Sequence, residues 1–192
     1  MKRYTADFET CVWLEDETFV WAWAVCEIGN EENVIIGNSI DGFMEFCESH
    51  SGSIFYFHNL KFDSSFVLTY LIENGFEFVE DKKNVKDKTF TTIISDLGMF
   101  YSVEVYFKKY SKTYKKVTFY DSLKIIPMKV KEIAKSFNLP ISKLEIDYKK
   151  PRPKNPELTR RRNWIYKKWC QNCCYGIKGS IWQRINKNDF SK

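Results

Sequence analysis

Along this chain the apolar positions switch between a two-residue and a 3.6-residue period, and the switches mark its elements. Residues 3–8 alternate as a strand, and Val20–Ile28 is apolar enough on both faces for a central strand. Glu31–Asn33 reads as a turn before a short strand, Val34–Ile36. Ser39 precedes Asp41-Gly-Phe-Met-Glu-Phe-Cys, a capped helix with Phe43, Met44 and Cys47 on its apolar face. Ile54–Phe57 is a buried strand. Ser64–Asn74 is a helix stopped by Gly75, where a left-handed cap favours glycine. Residues 90–107 give two strands around Leu97-Gly98-Met99, and Lys116–Asp121 gives another. Val130–Phe137 is an amphipathic helix ending before Pro140. Strands interspersed with helices predict an α/β or α+β domain. Pro151-Arg-Pro-Lys-Asn-Pro closes the regular part of the chain.

A length of 192 residues suits one domain with one core, and 44% hydrophobic residues exclude a disordered chain. No apolar run approaches the roughly 20 residues of a membrane helix, which predicts no membrane association. The start, Met-Lys-Arg-Tyr-Thr-Ala-Asp, lacks the apolar stretch of a signal peptide, so a cytoplasmic protein is expected. Cys11, Cys26 and Cys47 then read as reduced core thiols. Charge is divided unevenly. Residues 160–192 hold nine Lys/Arg against one acid, Asp189, which leaves 21 Lys/Arg and 24 Asp/Glu in residues 1–159, a net of −3. The main body is mildly acidic, as expected where carboxylates gather around metal ions.

Asp7-Phe8-Glu9-Thr10 is the first local signal. On a strand Asp7 and Glu9 share one face while Phe8 enters the core opposite. Paired carboxylates at a strand end repel unless a cation joins them, and hard oxygens suit Mg²⁺ or Mn²⁺. Two solvated acids on a half-exposed strand would give the same pattern. The second signal is Tyr56-Phe57-His58-Asn59-Leu60-Lys61-Phe62-Asp63, running from buried strand to loop to helix. Asp63 there is a third metal ligand or an ordinary helix cap. His58 is a structural histidine or, in the exposed setting that its polar neighbours suggest, a DNA-gripping group.

Together these two stretches resemble the first two exonuclease motifs of family B DNA polymerases, in the phi29-like, protein-primed branch. Tyr120-Asp121-Ser122-Leu123-Lys124, the run from Pro127 to Phe137, and Ile146-Asp147-Tyr148-Lys149-Lys150 with Lys143 upstream continue the likeness in order over roughly residues 3–157. The resemblance implies an α/β, ribonuclease H-like (DnaQ-like exonuclease) fold over residues 1–159, a mixed central sheet with flanking helices. It implies metal-dependent 3′→5′ hydrolysis of single-stranded DNA ends in DNA replication, using two divalent cations, Mg²⁺ or Mn²⁺. Asp7, Glu9 and Asp63 match the metal-holding carboxylates, and Lys143 matches a lysine that assists catalysis. Thr10, His58, Asn59, Phe62, Phe66, Ser122, Leu123 and Tyr148 match positions that bind the single strand. A terminal priming protein is the implied partner of an otherwise monomeric enzyme.

The resemblance implies a third motif, Tyr-x-x-x-Asp, whose projected places hold Ile165 and Trp169. The expectation is therefore weak or absent cleavage, leaving a non-catalytic single-strand or terminal-protein binding module, or a non-functional truncated product, as the alternative. Residues 160–192 change composition abruptly, holding three of the six Trp and three of the six Cys. Reading one nucleotide later from Asn163 regenerates the missing Tyr and Asp if Trp169 was encoded by TGA, so a frameshift near residue 160 is expected, with the polymerase domain absent. Zinc binding at Cys170-x-x-Cys173-Cys174 and a basic nucleic-acid arm are the rival readings of this tail.

Overall fold

The structure is a computed structural model that describes residues 1–11 and 17–136. Tyr4, Ala6 and Phe8 alternate into the core from β1 (Arg3–Thr10), as the two-residue period predicts. β2 (Val20–Glu27) runs antiparallel beside it and is buried over nearly its whole length, the signature of an inner strand. β3 (Asn30–Gly37) starts four residues earlier than expected, because the turn is made by Ile28 and Gly29, the glycine at φ +97°.

Helix α1 (Ile40–Ser49) is capped by Ser39, whose Oγ accepts the Gly42 N–H at 3.1 Å, and it buries Phe43, Met44 and Cys47 as expected. Next come β4 (Ile54–Phe57) and α2 (Leu60–Glu73), followed by the two-residue β5 (Glu77–Phe78), which the sequence pattern did not reveal. β6 (Thr89–Ile94), β7 (Phe100–Tyr110) and β8 (Thr113–Asp121) form a meander. Its second turn lies at Ser111, so both strands extend into a lysine-rich hairpin that polarity alone concealed. A 3₁₀ turn, Ser122–Lys124, and α3 (Val130–Ser136) complete the described chain.

Among the described residues the strands form one eight-stranded sheet in the order β3-β2-β1-β4-β8-β7-β6-β5. β1, β4 and β8 are mutually parallel and the pairs at β2, β3 and β7 antiparallel, so the sheet is mixed and the fold is α/β, as expected. Fully buried Phe43, Phe55, Phe57 and Phe119 weld α1 to β4 and β8. Each such ring removed from water is worth about 1.5–3 kcal/mol. Phe8 joins them edge-on, 4.8 Å from Phe43 and 5.1 Å from Phe57, which anchors β1 from its core side.

Of the expected core thiols, Cys11 and Cys47 are buried and free. The reading fails for Cys26, which is disulfide-bonded: it stood on the scattered spacing of the cysteines and the missing export signal, and neither decides which thiols the fold brings together. No helix among the described residues is long and apolar enough to cross a membrane.

Candidate active site

Three parallel strands deliver their carboxyl ends to one edge of the sheet, the place where open α/β sheets bind ligands. β1 pairs with β4 only as far as Thr5 opposite Tyr56, and β4 stops at Phe57. Residues 7–10 of β1 thus run on past their neighbour, toward the first turn of α2.

Asp7 is half-buried and Glu9 buried, on the face opposite Phe8. Their cross-strand partners on β2 are Ala24 and Ala22, small side chains that leave room beside the carboxylates. Immediately beyond, the register slips: Glu9 faces Ala22 but Thr10 faces Val20. Trp21 is the extra residue of this β-bulge. It is fully buried, and its Nε1–H donates to the Thr10 carbonyl at 3.1 Å. Bulges beside active sites re-aim side chains, and this one is pinned by an indole. Sequence reasoning missed it, although a buried tryptophan always raises the question of where its N–H goes.

α2 begins at Leu60, four residues before the expected Ser64, because Asn59 takes a left-handed backbone (φ 77°) and turns the chain directly into helix. The shift changes the meaning of Asp63. It is not the cap; it lies within the first turn, on the stripe formed with Leu60, Ser64, Val67 and Leu71 that faces the core. An acid on a core stripe is costly unless something compensates its charge. The backbone N–H groups of Phe8 and of Asp63 itself favour the charged form of the carboxyl. Burial nevertheless pushes its pKa up to about 8, and the charges of Glu9 and Asp121 push in the same direction.

Glu9 and Asp63 are therefore like charges brought together in a dry place, with Asp7 two residues along the same strand face. Among the described residues no three His, Cys, Asp or Glu side chains stand close enough to cage an ion by themselves. Mg²⁺ does not need such a cage; it binds through one or two carboxylates and takes its other oxygens from water and substrate phosphate. The donor chemistry at Glu9 and Asp63 fits that habit.

The expected strand-binding residues divide into two groups. Phe62 is half exposed at 50%, and its ring meets half-buried Phe66 edge-on at 5.6 Å. The pair lines a groove of about 630 Å³ between the start of β2 and helices α1 and α2, with Phe19, Ser39, Asp41 and Tyr70. Asn59, the residue before α2, is exposed, and its side chain does not cap the helix.

The others work inside the fold. Thr10 is buried at the bulge. The fully buried Ser122 Oγ donates to the Phe57 carbonyl at 2.9 Å and lies 3.2 Å from His58 Nδ1. His58 Nε2 donates to the Met128 carbonyl at 2.9 Å, so the ring sits between two anchors instead of in the exposed setting that its polar neighbours suggested. Burial lowers its pKa, against the upward pull of the Met128 carbonyl and of Asp121. The half-buried Leu123 gives its N–H to Asp121. Lys143, Tyr148 and residues 160–192 lie outside the described residues.

Residues 47–189 match the sequence family described as DNA polymerase type B, organellar and viral, and the match continues beyond residue 159. A DNA polymerase of Bacillus phage Nf is 41% identical over 158 residues, 82% of this chain and 27% of that protein. The DNA polymerase of Bacillus phage phi29 is 39% identical over the same shares, and that of Streptococcus phage Cp-1 is 29% identical over 73% of this chain and 24% of its own. The chain thus spans about a quarter of the length of these relatives. In three dimensions it resembles phi29 DNA polymerase complexed with single-stranded DNA, with a TM-score of 0.85 and 33% identity. That likeness covers 96% of this chain and 32% of the polymerase. The orthorhombic crystal form of the same polymerase gives 0.85 over 98% and 32%. The likeness extends to the polymerase's exonuclease domain, so the α/β fold described above is ribonuclease H-like.

Proposed function

This chain belongs to the organellar and viral type B DNA polymerases, and from that membership we propose that it forms the 3′→5′ exonuclease domain of a protein-primed enzyme. The observation that carries the reading is the meeting of Glu9 on β1 with Asp63 on α2 at the carboxyl edge of the parallel strands. Glu9 and Asp63 would hold a divalent cation, Mg²⁺ or Mn²⁺, with Asp7 beside them. When bound, two such ions supply an activated water and neutralise charge on the leaving oxygen.

The chain's own residues bind and orient the substrate. Phe62 and Phe66 offer ring faces and edges to unstacked bases of a single-stranded 3′ end. Asn59 stands exposed for sugar and phosphate. His58, Ser122, Leu123 and Thr10 hold the backbone that carries these groups. Lys143 and Tyr148 keep the roles that the motif resemblance gives them. A terminal priming protein as partner, a monomeric state and a place in the cytoplasm belong to the same proposal.

Binding without cleavage is the second reading, favoured by Ile165 and Trp169 in the places of the third motif's Tyr and Asp. One assay separates the two. A 5′-labelled oligonucleotide is incubated with the chain and Mg²⁺ or Mn²⁺. Slow shortening from the 3′ end, lost in Asp7→Ala and Asp63→Ala, supports the exonuclease. Retention of the oligonucleotide without products supports the binding module. Products that form equally in chelator overturn the metal-dependent reading.

A further inference from the structure

The carboxylate pair at this site is only as good as the placement of α2 against β1, and that placement depends on a residue with no direct part in the chemistry. Asp121 is the last residue of β8, directly opposite Phe57 at the end of β4, with a side chain only 1% exposed. Its Oδ1 accepts two backbone N–H groups, from Asn59 at 3.1 Å and from Leu123 at 2.9 Å. One oxygen thus joins the loop that leaves β4 to the turn that leaves β8.

Asn59 is where that bond matters most. Its backbone is left-handed without being glycine, a conformation that persists when surrounding structure holds it. The Asn59 side chain makes no cap bond to do this from within. Asn59 is the residue before α2, and Asp63 lies in that helix's first turn, so the dihedral at 59 sets where the Asp63 carboxylate points. The contact of 3.2 Å between His58 Nδ1 and Ser122 Oγ lies beside the Asp121 tie and joins the same two segments.

Resting on the exonuclease reading above, we infer that Asp121 is a positioning residue: by gripping the Asn59 amide it fixes the start of α2 and so aligns Asp63 with Glu9 for metal. Asp121 is poorly placed to be a ligand itself. Oδ1 already takes two donors, Lys124 Nζ stands 4.0 Å from Oδ2, and no third carboxylate closes around it among the described residues.

The test compares Asp121→Ala with Asp121→Asn in the full chain, reading amide hydrogen exchange at Asn59 and Leu123 and Mn²⁺ binding by electron paramagnetic resonance. The asparagine keeps an acceptor oxygen without the charge. Asp121→Ala is expected to speed exchange at both amides and to weaken Mn²⁺ binding about 10–100-fold, the usual cost of losing a partner that orients a metal ligand. Asp121→Asn is expected to restore both. If the alanine variant does not fold, Asp121→Ser, whose shorter side chain reaches at most one amide, takes its place with the same expectation. Unchanged exchange and affinity in the alanine or serine variant overturn the inference. So does an asparagine variant that recovers slow exchange and still binds Mn²⁺ poorly, because charge and not placement would then be the contribution. A wild-type chain that binds no Mn²⁺ overturns the exonuclease reading instead, while the exchange rates still decide whether Asp121 holds Asn59.

Discussion

The backbone N–H of Phe8 acts on the Asp63 carboxyl and favours its charged form, so the helix that supplies one acid meets the strand that supplies the others. They meet where β4 has ended and β1 has an open side. Burial keeps the Asp63 carboxyl protonated up to about pH 8, and that is how an acid occupies the core stripe of α2. The strand end is left short of a partner and the helix turn carries a surplus of charge, and each answers the other. What it does not neutralise is the like charge of Glu9, and that residue of repulsion is what a cation would remove.

From this follows a pH dependence whose sign is fixed. The Asp63 carboxyl titrates at about 8 in the folded chain and near 3.8 unfolded. Its contribution to stability is therefore fully present below the unfolded value and is lost as pH rises toward the folded one. Asp63→Asn does not titrate. In chelator, the melting temperature of wild type relative to Asp63→Asn should fall between about pH 5.5 and about pH 8.5. Adding Mg²⁺ at the upper pH should raise the wild type and leave the variant unmoved. A difference that stays flat or rises with pH in chelator would show that Asp63 is not held protonated.

The groove makes a separate prediction about the strand. Phe62 and Ile72 are both exposed on α2, at 50% and 66%, but only Phe62 lines the groove. A base–aromatic stack is worth about 1–3 kcal/mol by alanine substitution. Phe62→Ala should weaken binding of a fluorescent single-stranded oligonucleotide by that amount in anisotropy titrations, and Ile72→Ala should leave it unchanged. Equal losses in the two variants would remove Phe62 from the binding surface.

Much of the arrangement was legible in the order of residues, and the rest failed for identifiable reasons. The two-residue period placed Asp7 and Glu9 opposite Phe8, and the capping serine placed the start of α1. The start of α2 was misjudged because Asn59 turns the chain by backbone conformation, which no periodicity records. That single shift moved Asp63 from the cap to the core. His58 looked exposed because its sequence neighbours are polar; its bonds are to Ser122 and Met128, 64 and 70 residues away. The lysine-rich strands at the tip of β7 and β8 were hidden for the opposite reason, since pairing across the sheet overrides the low strand preference of lysine.

Trp21 offers a test of the bulge. Its indole N–H satisfies the Thr10 carbonyl where the ladder of β1 and β2 is interrupted. Trp21→Phe keeps an aromatic ring in the core and removes the donor. Leaving a buried carbonyl unsatisfied costs about 1–3 kcal/mol. Urea unfolding should shift to a lower midpoint by that much with an unchanged slope. An unaltered midpoint would mean that the bulge does not depend on the indole.

Gly37 marks the other boundary of the strand that faces the carboxylates. It pairs with Trp23 across β2 and β3, and a Cβ built on it would stand 2.2 Å from the indole Cε2. The backbone there needs no left-handed turn, so space alone demands glycine. The indole has little freedom to withdraw, because Phe43 and Phe46 pack against it at 5.6 and 5.7 Å. Any displacement of Trp23 reaches Ala22 and Ala24, the residues opposite Glu9 and Asp7. Gly37→Ala should therefore destabilise the chain by about 1–3 kcal/mol, the usual cost of overfilling a packed site. In a Trp23→Leu background the clash is gone, and the same substitution should cost much less, a coupling that a double-mutant cycle in urea measures. Equal costs in both backgrounds would show that Gly37 is required for a reason other than the indole.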